Sequence, residues 1–183
     1  MPPIPADQMT PAQREAAQEI VAGRRGGVYG PFVPALRSPE FLRRLQRLGE
    51  YLRYDLALPP RLREMAIILT AREWSQEFEW DVHAPLAQQA GLAPSIIDAI
   101  RDGRRPSGMD REETLIHEFI AELRQSHTVS DATYAAAVAA FGERGLIDLL
   151  GAIGYYTTLA MIMNVAHTPL PAGRTPVLPP LSR

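Results

Sequence analysis

An all-α single domain of six or more helices is the fold this sequence predicts. Helix-start signals recur along the chain, period-two strand patterns are nearly absent, and no linker is long enough to divide domains. Thr10-Pro11-Ala12-Gln13 combines an N-cap, a proline at the first helical position and a capping-box glutamine, opening a helix that ends near Gly23. A glycine-rich connector, Gly26-Gly27-Val28-Tyr29-Gly30-Pro31-Phe32, follows. Ser38-Pro39 begins a second helix, with Phe41, Leu42, Leu45 and Leu48 on its apolar face, running to about Tyr51. Pro59-Pro60 starts a third, in which Met65 to Leu69 are apolar without a break, the pattern of a helix buried on most sides. Ser75 is placed to cap the next, which Pro85 can bend and which stops before Gly91. Pro94 opens a short helix ending near Gly103, and Asp110 caps one reaching Ser126 with Glu112 and Glu113 in its first turn. Ser130-Asp131 caps a helix through Ala140, and Gly142 and Gly145 precede a long apolar helix from Leu146 to about Asn164. The core spans about residues 35–165. The tail, residues 168–183, carries five prolines between Thr168 and Pro180 and is expected to be extended, draped over a neighbouring subunit.

Composition excludes several classes of function. At 183 residues and 46% apolar, the chain can bury a sizeable core. Its net charge of −2, without a basic cluster, leaves no electrostatic footprint for nucleic acid. Without cysteine there is no thiolate, disulfide or Cys-type metal site. The N-terminal residues lack a basic region followed by an apolar core, so a cytoplasmic location is expected. Gly151, Gly154, two tyrosines and Asn164 interrupt the stretch from Leu149 to Val165, which is read as buried in the core or a subunit interface and not as a membrane span.

The residues that carry chemistry lie in one window. Gln76, Glu79 and His83 fall at i, i+3 and i+7, hence on one helix face, with Glu79 and His83 one turn apart. A carboxylate beside an imidazole can share a proton near neutral pH, although such a pair is also an ordinary helix-stabilising contact. Glu64 sits in the buried helix just upstream and needs a partner there, either an arginine among Arg61, Arg63 and Arg72 or His83 across a helix crossing. Trp74, Phe78 and Trp80 offer aromatic walls for a pocket, or simply core.

The spacing Glu64, Gln76, Glu79, His83, together with Gly30-Pro31-Phe32, Arg63-Glu64, Ala71-Arg72-Glu73-Trp74, Glu79-Trp80 and Gly154-Tyr155-Tyr156, resembles the carboxymuconolactone decarboxylase/AhpD-like family over most of the chain. The thiol branch of that family carries a C-x-x-C pair where this sequence has Gln76 and Glu79, so its peroxiredoxin chemistry is closed to this chain. The resemblance implies an all-α protein that self-associates as a dimer, trimer or hexamer. Its other branch decarboxylates a lactone in aromatic-compound breakdown, with no metal or organic cofactor.

On that basis the expected function is a cofactor-free acid/base enzyme acting on a small lactone or carboxylated intermediate, by decarboxylation or isomerisation. His83 is the expected acid, with Glu79 orienting it and Glu64 supporting it. Gln76, Arg72, Trp80 and Tyr155 are the candidate substrate contacts, with Arg72 taking a substrate carboxylate. Two alternatives stand beside this reading: a metal-dependent enzyme using Glu64, Glu79 and His83, and a non-catalytic oligomer or ligand-binding protein whose redox site has degenerated. His117, His127 and His167 are weaker candidates, of which only His167 is placed to reach a site, in an adjacent subunit.

Overall fold

The computed structural model describes residues 1–181; residues 182 and 183, the end of the predicted tail, lie outside the described residues. Among the described residues the fold is all helical, with a short 3₁₀ turn at Ala6–Gln8 followed by α1 (Pro11–Ala22), α2 (Phe32–Ala35), α3 (Pro39–Tyr54), α4 (Pro60–Glu73), α5 (Glu77–Gln89), α6 (Pro94–Arg101), α7 (Arg111–Ser126) and α8 (Asp131–Ala166). The predicted caps at Thr10, Asp110 and Ser130 form, each side chain accepting from the backbone N–H three residues on.

Helix α4 is the centre of the bundle. Every residue from Glu64 to Arg72 is buried, because α5, α6, α7 and α8 all pack on it. This explains the unbroken apolar run, since a helix covered on all sides has no solvent face to mark with polar residues. The main core joins α4 to Trp80 of α5, Ile116, Phe119 and Ile120 of α7, and Leu149, Tyr155, Tyr156 and Leu159 of α8. A second cluster, including Ala16, Ile20, Phe32 and Leu42, packs α1 and α2 on α3.

Two local expectations change. The cap of α5 is Gln76 and not Ser75: Ser75 adopts φ 46°, a left-handed turn, and thereby swings the Gln76 side chain back over the helix start. The two C-terminal helices form one element, 36 residues long, broken only at Gly142 (φ 69°, ψ 168°), so the apolar half begins at Glu143 and not at Leu146. By length and composition α8 could cross a bilayer, yet half of its most apolar window is buried against the bundle.

The tail folds back on its own chain. The backbone N–H groups of Val177 and Leu178 donate to the Glu77 carboxylate (3.0 and 2.9 Å), and Arg72 Nη2 donates to the Pro179 carbonyl (2.7 Å). Proline leaves few N–H donors in this segment, and the acid at the start of α5 takes two of those that remain.

Candidate active site

The α4–α5 pair brings Glu64 and His83 together across the helix crossing. His83 Nδ1 lies 2.7 Å from Glu64 Oε2, and Arg63 Nε donates to Glu64 Oε1 at 3.1 Å. Both side chains are buried. Burial pushes the Glu64 carboxyl upward, but the His83 hydrogen bond and the charges of His83 and Arg63 outweigh it and hold the group below its ordinary value. Burial lowers the His83 imidazole more than Glu64 raises it. At neutral pH the pair is therefore a carboxylate and a neutral ring. A carboxylate can only accept, so the ring proton sits on Nδ1 and Nε2 carries a free lone pair.

Glu79 follows a different course. Both of its carboxyl oxygens are buried and have no hydrogen-bond partner, and burial drives its carboxyl well above the ordinary range. Its place in the first turn of α5 favours a negative charge, yet without a donor the desolvation penalty dominates and favours the neutral acid. Glu79 thus does not orient His83; Glu64 does. The two carboxyls are pushed in opposite directions, which separates one buried proton acceptor system from one buried proton donor.

Glu79 and His83 line a pocket of about 30 Å³, together with Arg25, Arg53, Phe78 and Tyr156. That space admits about two waters, far less than the roughly 300–1,000 Å³ of a small-molecule site. The glycine-rich connector forms its outer wall, contributing Arg25, Tyr29 and Pro31. Gly30, at φ 57°, lets that wall close on Phe78: a Cβ there would stand 2.6 Å from the ring. The Tyr156 ring meets His83 edge-on, with centroids 5.0 Å apart, and is itself braced edge-on by Tyr155 at 5.3 Å.

The other sequence candidates lie elsewhere. Gln76 is a structural clamp: its Oε1 accepts from the N–H groups of Phe78 (2.7 Å) and Glu79 (3.3 Å), and its Nε2 donates to Asn164 Oδ1 (2.9 Å). Arg72 is turned away from the pocket onto Ser75 and the tail. Arg61 is engaged by Asp110, Glu112 and Glu113 at the start of α7. Trp80 is packed in the core and Trp74 is partly exposed, so Phe78 alone of the three aromatics lines the pocket. Tyr155 stands one layer behind Tyr156, receiving a hydrogen bond from Arg25 Nη2 (3.3 Å). His127 and His167 end α7 and α8 in left-handed cap conformations. Glu64, Glu79 and His83 do not assemble as a three-donor group able to hold a metal; no such group occurs among the described residues.

The cations at the pocket are Arg25 and Arg53, which sequence reasoning missed. Arg25 is anchored by Gln46 (2.6 Å) and lies 4.6 Å over the Phe32 ring. Arg53 forms no salt bridge among the described residues and lies 5.6 Å from the Tyr54 ring centroid. Their place in the connector and at the end of α3 carries no local signal, because only packing brings those segments to α5.

A bundle of helices that buries a carboxylate–imidazole pair beside a second carboxyl pushed upward by burial, with no thiol in the chain, holds the groups of a proton-transfer site and lacks those of a thiol redox site. Residues 39–119, from α3 into α7 and including Glu64, Gln76, Glu79 and His83, match the model of the carboxymuconolactone decarboxylase family, and over this part the chain is similar to that family. No curated protein matches the chain.

Proposed function

We propose that the protein is a cofactor-free enzyme that moves a proton on a small unsaturated lactone or related carboxylated molecule, with isomerisation favoured over decarboxylation. The observation that carries this reading is the presence in one pocket of an imidazole held by Glu64 at 2.7 Å and a buried carboxyl group without a hydrogen-bond partner. Isomerisation needs a base and an acid at once: His83 Nε2 takes a proton from carbon next to the lactone carbonyl, and Glu79 returns one further along the conjugated system. The resulting imidazolium is stabilised by the Glu64 carboxylate, and the Glu79 carboxylate recovers its proton from it, so the cycle closes. Decarboxylation would need only the acid, which would protonate carbon after CO₂ leaves. Arg25 and Arg53 supply the positive field for a substrate carboxylate and the developing enolate. Substrate admission requires the Gly26–Gly30 connector to move outward, since the pocket's roughly 30 Å³ holds only water-sized groups.

The small volume also favours a second reading, in which the site is a packed remnant in a non-catalytic protein. Proton NMR in D₂O on a panel of unsaturated γ-lactone carboxylates separates the two. The enzymatic reading expects isomerisation or deuterium incorporation by the wild type. It further expects a loss of about 10²–10⁴-fold in folded His83→Ala and Glu79→Gln. Equal rates in all three proteins would leave the remnant reading standing.

A further inference from the structure

Behind the Glu64–His83 pair lies a second cavity of about 310 Å³, whose lining includes Arg53, Tyr54, Arg63, Glu64, Gln89 and Ala90, with Leu86 as its apolar wall. It shares Arg53 with the inner pocket but contains neither His83 nor Glu79, and it has ten times the inner pocket's room. Its walls hold two guanidinium groups against one carboxylate. Arg63 is engaged by Glu64 at 3.1 Å, whereas Arg53 has no acidic partner among the described residues. The nearby Asp55 is already paired with Arg24 at 3.0 Å. The cavity therefore carries one unneutralised positive charge, with Gln89 at its rim and the Tyr54 ring beside Arg53.

We propose that this outer cavity is a second binding site, for a small oxyanion of the carboxylate or phosphate type gripped by Arg53 and Arg63, and that its occupation tunes the basicity of His83 through Glu64. A planar or tetrahedral oxyanion suits the fixed fork of two guanidinium groups, and the volume accommodates one where the inner pocket does not. The coupling follows from Arg63, which serves both the cavity and the carboxylate that holds His83. An anion that draws Arg63 toward itself leaves more of the Glu64 charge to stabilise an imidazolium. The charged and titratable groups around His83 are Glu64 and Arg63 of α4, Arg53 of α3, Glu79 of α5, Tyr156 of α8 and Arg25 of the connector. Arg53 and Arg63 both disfavour the protonated ring. Neutralising them raises its pKa.

The test is a titration of the full chain, labelled with ¹⁵N in histidine, with inorganic phosphate and separately with acetate, the His83 resonances being assigned with His83→Gln. The expected result is saturable binding of at least one of the two anions and an upward shift of the His83 midpoint. That shift is about 0.5–1 unit, below the 1–3 units of an opposite charge in direct contact. Phosphate against acetate then tells which oxyanion the site prefers. Gln89→Glu sets a carboxylate at the exposed rim and Ala90→Trp fills the cavity; each weakens binding about tenfold or more, Ala90→Trp leaving the anion-free His83 midpoint at its wild-type value and Gln89→Glu, a fixed anion beside Arg53 and Arg63, moving it upward. Three results overturn the proposal: no saturable binding of either anion, binding unchanged in both rim variants, or binding that leaves the His83 midpoint in place. Turnover plays no part in these readouts, so they stand apart from the outcome of the lactone assays.

Discussion

Replacing Glu79 should stabilise this protein, and the gain should grow with pH. Both carboxyl oxygens are buried without a partner, so the wild type bears the full desolvation penalty of an unsatisfied polar group, about 1–3 kcal/mol. Glu79→Leu removes that penalty at nearly constant volume in a wall already formed by Phe78, Val82, Leu159 and Met163. At about 2–4 °C per kcal/mol for a chain of this length, the midpoint of thermal unfolding rises by several degrees. Linkage adds a pH dependence of definite sign. The folded-state pKa of Glu79 is raised, so between the unfolded value and the folded one the native state binds the extra proton. Across that window wild-type stability falls by about 1.4 kcal/mol per pH unit; below it the loss is absent, and above the folded value it is complete. Glu79→Gln keeps the polar burial but abolishes the titration, which isolates the pH-dependent part. Urea unfolding of wild type, Glu79→Gln and Glu79→Leu from pH 4.5 to pH 8 measures both effects. Parallel stability profiles for wild type and Glu79→Gln, or a Glu79→Leu protein less stable than wild type at pH 7, would falsify the assignment of Glu79 as a buried neutral acid.

Gln76→Ala removes the cap of α5 and its link to Asn164 together, and should cost about 1–2 kcal/mol in chemical denaturation without altering the His83–Glu64 contact in ¹⁵N spectra. Gly49→Ala drives a methyl group into the Tyr155 hydroxyl and to within 2.6 Å of Arg25 Nη2. It should destabilise by about 1–3 kcal/mol and lift Tyr156 off the His83 ring, visible as a changed His83 ring-current shift. Glu64→Gln withdraws the anion that fixes the ring; the His83 midpoint should fall and the Nδ1–H tautomer should lose its dominance, read from ¹⁵N shifts.

Local chemistry made much of this molecule readable in advance. The proline starts and the Thr10, Asp110 and Ser130 caps act within one helical turn, so they form wherever the bundle places them. The unbroken run from Met65 to Leu69 announced the central helix, and the i, i+3, i+7 spacing put Glu79 and His83 on one stretch of α5. The meeting of Glu64 with His83 was open between two partners, because a buried acid demands a donor without naming it. The helix crossing supplied both, with His83 on one oxygen and Arg63 on the other. Tyr155 was the expected substrate contact, but adjacent positions on a helix face differently, and it is Tyr156 that lines the pocket. Arg72 was nearest in sequence for a substrate carboxylate, but the groove it faces is filled by the tail, and Arg25 and Arg53 arrive from distant segments. The division has one physical reason. Helix start, stop and amphipathic phase depend on neighbours a turn away, which the order of residues specifies directly. Which buried carboxyl keeps its charge depends on donors and desolvation set by several helices at once, and only their packing decides it.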